Sequence, residues 1–536
     1  MDRFLSDIID RSVPRANPFI MEGLGTYMMR QAEEYVDTTF KSAAKGFPAG
    51  LEYVGYERCT PNEEYNEVTR PKNNKRVYDL AKSDIYLMKF YFKFGGVPIP
   101  PRYMYLPFVT QAGLINLGGN CFHLSPVMSD KVISPSSNSV FIRLQRDRIN
   151  FDRTHHTVCV DGANETVRVV WSKLHRKPQN ANKTPITTKA VSSIVHYLLA
   201  KYGYTEMCNR YLGFVPVVGT DDITVEKYPP DQFVICESSK IKPATFMGLT
   251  YVSTELRMAI PKEKWDYQTK MFVGGIFYVF DHFPTRMRPE HIDNKSLWMI
   301  LLGNIIFSGL YGDGKLHDDI KEHLVSLNQY LDTVITVKLK ELGYDVGDFY
   351  DLLALTVKNF DKWVSESEET SITLFGKTLE VLYYALYDIT SSIFKTNFKL
   401  NKLSHRKILT SKEVIETMNK ELPLGAVYGL TKGNIAVTNV AYSGDNMYPK
   451  ITSVVALQQV ISGANRGRKT RMVVDSSKRA HPSMLEVGSI LFLSKSNPTP
   501  AVRANMYMHF DPMTGTILPK PHFAELQEKL SKMLKG

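Results

Sequence analysis

The chain has 536 residues and a mass of 61.0 kDa, with 43% hydrophobic, 11% aromatic and 23% charged residues, proportions that exclude a disordered or collagen-like polymer and suit several folded domains. Its net charge of +11 is unevenly spread: residues 401–536 hold 19 Lys/Arg against 9 Asp/Glu, and residues 1–400 hold 47 against 46. No secretory signal opens the chain, the most apolar stretches are too short to cross a bilayer, and five scattered cysteines (Cys59, Cys121, Cys159, Cys208, Cys236) without CxxC spacing point to a reducing, intracellular setting.

Residues 17–50 read as helical, with apolar positions at Phe19, Ile20, Leu24, Met28 and Met29 and a break at Gly46 and Pro48. From Leu51 the period becomes two, predicting strands over Glu52–Arg58, Ile85–Phe94, Tyr103–Val109 and Gly113–Leu117, then Val140–Leu144, His156–Val160 and Thr166–Trp171. Thr187 to Lys201 predicts an amphipathic helix stopped by Gly203, and residues 230–285 predict short strands alternating with turns. Long helices are expected from about 294 to 400. One follows Ile320, Leu324, Leu327, Leu331, Val334 and Val337 to a stop near Gly343, and another covers Phe375–Thr396. After 400 the pattern is mixed and glycine-rich, with a last helix at Phe523–Leu534. The expected class is α+β, multidomain, with a helical middle.

No residue set here assembles a familiar catalytic centre. Asp345, Asp348 and Asp351 stand three residues apart and could share a helical face toward Mg²⁺, but acids placed just after a helix stop are better explained as favouring the next helix's N-terminus. The run Tyr311–Asp319 meets neither calcium-loop nor phosphate-loop spacing, and His155 and His156 near Cys159 lack further ligands. GxSxG, GxxxxGK[ST] and HExxH do not occur. The densest positive segment holds Arg466, Arg468, Lys469, Arg471, Lys478 and Arg479 against the single Asp475, with Lys495 and Arg503 beyond it. Such a cluster attracts polyphosphate with salt-dependent affinity. A solvated loop or a contact with an acidic protein fits the composition nearly as well.

Three ordered stretches resemble the amino-terminal half of the β subunit of multisubunit DNA-directed RNA polymerases. The first runs from Tyr53-Val54-Gly55-Tyr56 through Tyr78-Asp79-Leu80 to Ile85–Phe94. The second is Leu106-Pro107-Phe108-Val109-Thr110, then Gly113 to Asn120, ending at Ser125-Pro126. The third places Pro449, Gly463, Arg468 to Arg471 and His481-Pro482 at the spacing of the fork and antibiotic-pocket region with one extra residue, followed by Asn497-Pro498-Thr499-Pro500, Ala504-Asn505, a strand from Met506 and a turn at Asp511–Gly515.

The resemblance implies a split β subunit, an arrangement similar to that of giant phiKZ-type bacteriophages. Residues 1–125 and 400–440 would form a protrusion, 126–399 a lobe, and 441–536 the fork and hybrid-facing wall. Arg466, Arg468, Lys469, Arg471, Lys478, Arg479, Lys495 and Arg503 would meet nucleic-acid phosphates, and Tyr442, Asp445, Val455 and Gln458 would occupy the antibiotic-pocket positions. Only Asp445 keeps the family's residue type there, so resistance to rifampicin is expected. Ser496, Asn497 and Thr499 replace the family's acidic motif. This chain would bind no cofactor; the catalytic Mg²⁺ would sit on a β′-like partner. The implied partners are a C-terminal β-like chain, two β′-like chains, a phage promoter-specificity subunit, the DNA template and the RNA–DNA hybrid, with no membrane, inside an infected bacterium. Whether such an enzyme is packaged in the particle or made after infection is left open. A noncatalytic virion or scaffold protein with a basic surface is the rival reading. A free-standing single-strand binder is a second, but it needs aromatics among the basic residues, and none lies between Arg466 and Arg479.

Overall fold

Helices open the described chain because apolar side chains recur there every three or four residues, but Gly23, with φ of 99°, and a turn at Arg30-Gln31 cut the expected single helix into α1 (Pro18–Glu22), α2 (Leu24–Met29) and α3 (Ala32–Ala44). The computed structural model describes residues 16–69, 82–136, 138–144, 148–172, 174, 192–238, 244–246, 249–251, 256–283, 286–307, 313–331, 333–366, 373–404, 407–432, 434, 436–440, 451–456, 481, 483–488 and 501–520. The chain divides into two units. The first is Met1–Lys131 with Asp332–Val334 and Ile372–Gly536, and the second is Val132–Leu331 with Ile335–Ser371. Both mix helices and sheets, so the class is α+β, as the sequence predicts.

In the first unit β1 (Leu51–Arg58), β2 (Ile85–Phe94) and β3 (Val97–Pro107) form an antiparallel sheet in chain order, with α4 (Pro61–Val68) between β1 and β2. A bulge at Val54 pairs Tyr53 with Phe92 and Gly55 with Tyr91, which turns Tyr53 and Tyr56 to the same face. There Phe40 of α3 stacks on Tyr53 at 5.0 Å and meets Phe90 at 4.9 Å, while Tyr56 lies 6.4 Å from Phe90. β4 (Leu114–Leu117) and β5 (Asn120–Leu124) make the expected glycine hairpin. Gly118 and Gly119 both have positive φ, which a two-residue turn matched to strand twist requires. β6 (Val127–Ser129) closes this part of the unit.

The second unit is built on one sheet and a helical layer. β7 (Ile133–Pro135), β8 (Ser139–Arg143), β9 (Arg148–Val160), β10 (Ala163–Ser172) and β11 (Ser192–Ser193) lead into α5 (Ile194–Tyr202) and α6 (Tyr204–Tyr211). β12 (Val217–Gly219), β13 (Phe233–Ser238), the hairpin β14 (Ala244–Phe246) with β15 (Leu249–Tyr251), and β16 (Arg257–Pro261) follow. Strands run in the order β11-β10-β9-β13-β16-β12, and the 13-residue β9 is long enough to pair with β8 as well. The core also takes in α5 and α6 and is completed by α7 (Tyr267–His282), α8 (Lys295–Ile306), α9 (Asp313–Leu327) and α11 (Phe349–Ser365), with α10 (Thr333–Glu341) between the last two. Gly274 and Gly275 let α7 approach closely. A Cβ at either would fall 2.6 Å from Val167 Cγ2 or 2.5 Å from Val195 Cγ2.

Several expectations are corrected. Residues 267–282 form α7, not strands and turns, because the run from Met271 to Phe280 is buried nearly all round and shows no period to read. The helix expected through Ile320 to Val337 breaks into α9 and α10, with a 3₁₀ turn at Asn328–Tyr330 and extended backbone at the buried Leu331. The helix expected from Thr187 is described only from α5, where Ser193 caps it after β11; residues 187–191 lie outside the described residues.

The chain then returns to the first unit through β17 (Thr378–Glu380), α12 (Leu382–Ala385), α13 (Tyr387–Ser404), α14 (Ser411–Glu421), β18 (Val437–Asn439), β19 (Ser453–Ala456), α15 (Ser483–Val487) and β20 (Ala501–Arg503). The expected single helix over Phe375–Thr396 is thus a strand and two helices, since Thr378 to Glu380 pair with β6 and tertiary pairing overrides local propensity. The strand expected from Met506 is absent among the described residues: Met506 lies in a turn, and β20 ends at Arg503. The last helix at Phe523–Leu534 lies outside the described residues.

Candidate nucleic-acid interface

The stretches that carry the sequence resemblance lie far apart in the chain, and two of them meet in one four-stranded sheet ordered β17-β6-β19-β20. β6 continues directly from Ser125-Pro126, and β19 pairs with it in parallel, Val455 opposite Val127 and Ala456 opposite Met128. The Val455 N–H donates to Pro126 O at 2.8 Å. Ser125 Oγ, buried, contacts His123 Nδ1 at 3.0 Å and donates to Ser453 Oγ at 3.3 Å. β20 lies antiparallel to β19, with Arg503 opposite Ser453 and Ala501 opposite Val455.

This sheet fixes the ends of the most basic part of the chain. The chain leaves β19 at Ala456 and is next described at His481, then leaves at Gly488 and returns at Ala501. Each described landing is well held. His481 Nδ1 accepts from the Ser483 N–H at 3.1 Å, which leaves the hydrogen of a neutral ring on Nε2, and Ser483 Oγ accepts from the Leu374 N–H at 2.9 Å. The Ala504 N–H donates to Thr452 O at 2.8 Å, and the Asn505 N–H donates to Val487 O at 2.9 Å. The expected turn is also present. Asp511 accepts from Met513 N–H, Thr514 N–H and Thr514 Oγ, and the returning strand bridges Thr516 to Thr378.

Of the residues expected to touch nucleic acid, Arg503 is half-buried in β20, and its guanidinium has no hydrogen-bond or ion-pair partner among the described residues. Arg466, Arg468, Lys469, Arg471, Lys478, Arg479 and Lys495 lie outside the described residues, as do Tyr442, Asp445 and Gln458. Val455 is 6% exposed inside β19. Charge nevertheless separates by unit. The second unit's ranges hold 28 Lys/Arg and 28 Asp/Glu, while the first unit's hold 38 and 27, so the entire excess of +11 belongs to the first.

Elsewhere the candidate chemistry resolves into structure. Asp348 caps α11: its Oδ1 accepts from the Asp351 N–H at 2.8 Å, and Asp351 accepts in return from the Asp348 N–H, a capping box. Asp351 also accepts from Arg210 at 3.0 Å and from Tyr211 Oη at 3.1 Å. His156 reaches Asp281 at 2.8 Å, and Asp281 accepts from Ser238; the carboxylate sits between the hydroxyl and the ring, so this is not the serine–histidine contact of an activated nucleophile. Burial pushes the Cys59 thiol up to about 11 and Cys208 to about 12, and Cys236 higher still, which keeps these thiols protonated and unreactive. Among the described residues no group of three or more His, Cys, Asp or Glu could hold a metal ion, and no helix is long and apolar enough to cross a membrane.

One surface went unnoticed in sequence. Tyr387, Lys395, Phe398 and Lys402 all stand exposed on α13, whereas the helix expected from the sequence, Phe375–Thr396, stops short of the last two. Their spacing of eight, three and four residues was the available signal.

All of the chain's positive excess lies in one unit, which favours contact with a polyanion there. Residues 8–531 match the family model of the non-virion RNA polymerase subunit, and the chain belongs to that family. It is therefore a subunit of a phage RNA polymerase, and its partners include the other polymerase subunits. A comparison with curated proteins returns no match.

Proposed function

We propose that the chain is the amino-terminal, β-like part of a split β subunit and forms one wall of the cleft that holds the RNA–DNA hybrid. The observation that carries this reading is the sheet β17-β6-β19-β20, which unites two β-like stretches about 330 residues apart and holds the ends of the basic segment. Arg466, Arg468, Lys469, Arg471, Lys478, Arg479, Lys495 and Arg503 then bind backbone phosphates, which fixes register without reading bases and suits an enzyme that must copy any sequence. Residues 1–125 and 400–440 act as the protrusion, 126–399 as the lobe and 441–536 as the hybrid-facing wall. The catalytic Mg²⁺ belongs to a β′-like partner, so this chain is inactive alone. A C-terminal β-like chain, two β′-like chains and a promoter-specificity subunit complete the enzyme. It is made after infection rather than carried in the particle, in keeping with the family's description. Since Tyr442, Val455 and Gln458 depart from the family's pocket residues, the enzyme resists rifampicin.

The test is Arg468→Glu with Arg471→Glu in the assembled polymerase. Elongation complexes should dissociate about tenfold faster or more, and the slope of log stability against log salt should fall by about 2. Unchanged lifetime and slope would refute the hybrid contact. Inhibition by rifampicin at concentrations that stop a bacterial polymerase would refute the pocket assignment.

A further inference from the structure

Helix α13 is held in one rotational setting by its inner face. Ile389, Ile393, Phe394 and Leu400 enter the first unit's core, and Asn397 and Asn401 donate to the carbonyls of Ala43 and Gly46, where α3 ends, at 3.0 and 2.6 Å. That setting turns Tyr387, Lys395, Phe398 and Lys402 outward along one stripe about 22 Å long. Tyr387 is 49% exposed and Phe398 63% exposed. Tyr383 of the preceding helix stands edge-on to Tyr387, with ring centroids 6.0 Å apart. Lys395 and Lys402 have no hydrogen-bond or ion-pair partner among the described residues, whereas Lys399, further round the helix, is paired with Glu421. The one carboxylate on the exposed side of α13, Asp388, packs against Gly429.

Rings alternating with unpaired cations satisfy both halves of single-strand recognition: flat apolar faces for bases and positive charge for phosphates. A duplex hides its base faces and would leave the rings unused. A protein interface selects aromatics but is depleted in lysine, so it explains half of the stripe. We propose that the exposed face of α13 binds single-stranded nucleic acid, with bases stacking on Tyr387 and Phe398 and phosphates meeting Lys395 and Lys402. This goes beyond the hybrid-wall reading and depends only on the chain being a polymerase subunit.

The experiment uses the assembled polymerase with Lys395 replaced by the photocrosslinker p-benzoylphenylalanine, irradiated in a transcribing complex. A crosslink to a nucleic-acid strand is expected; crosslinks to polypeptide alone, or none, overturn the proposal. In parallel, anisotropy with a fluorescent single-stranded oligonucleotide compares wild type with Tyr387→Ala/Phe398→Ala and with Lys395→Gln/Lys402→Gln. Loss of the rings should weaken binding about tenfold or more, and loss of the lysines should lower the salt slope by about 1.4. Unchanged affinity and slope in both would overturn it. All four side chains are exposed, so the variants should fold. If these variants behave as expected while Arg468→Glu/Arg471→Glu has no effect, the hybrid-wall reading falls and this one stands.

Discussion

The two units differ in charge balance rather than in ion pairing. The second holds equal numbers of positive and negative residues, and both contain ion pairs, such as Lys89 with Glu57 and Glu63 in the first. In the second unit Arg153 and Arg168 both bind Asp361, Arg210 binds Asp351, and Lys270 binds Glu165. Burial works against the Asp361 charge, but hydrogen bonds from Arg168, Tyr267 and Arg153 outweigh it and hold that carboxyl below its usual range. The first unit carries the full +11 and leaves Arg503, Lys395 and Lys402 without partners among the described residues. The difference teaches that the chain's positive excess belongs to one unit, while the other is balanced.

Breaking the second unit's core gives the largest expected effect. Trp298 is fully buried, its Nε1 donates to Ile292 O at 2.6 Å, and its own carbonyl lies 3.0 Å from His196 Nε2. Trp298→Ala should cost about 3–5 kcal/mol, read by urea unfolding, and hydrogen exchange should show the loss in the second unit's helices and not in β1–β3. Acid should act on the same place. Burial lowers the pKa of His196 from 6.5 to about 4, so this residue's stabilisation is complete above pH 6.5 and is lost as pH falls toward 4. The loss should reach roughly 3 kcal/mol and disappear in His196→Gln. Gly275→Val, which forces α7 away from Val195, should cost about 1–3 kcal/mol by thermal unfolding. Asp348→Ala removes a helix cap and the acceptor of the Tyr202 hydroxyl and should cost about 1 kcal/mol. Asp345→Ala should leave transcription by the assembled enzyme unchanged; loss of activity with assembly intact would revive a metal at that position.

The sequence made the alternating strands and the glycine hairpin legible, because half-buried strands and two-residue turns leave period-two patterns and paired glycines. It hid α7, whose run from Met271 to Phe280 is buried too completely to show a period. It also hid β17, three residues that become a strand only because β6 lies beside them, and the break between α9 and α10. The charge bias of the chain's end was visible, but its confinement to one unit was not, since that unit joins Met1–Lys131 to residues beyond Ile372. The α13 stripe was hidden because the helix expected from the sequence ended at Thr396, short of Phe398 and Lys402, and because the burial of Asn397 and Leu400 is what fixes which side faces out.

The central claim is that one unit of this polymerase subunit faces nucleic acid and the other does not. Ultraviolet crosslinking of a halted elongation complex, with crosslinked peptides mapped by mass spectrometry, tests it most directly. The account predicts crosslinks concentrated in residues 387–402 and 441–520, with few between Val132 and Leu331. Crosslinks spread evenly over both units, or concentrated in the second, would contradict it.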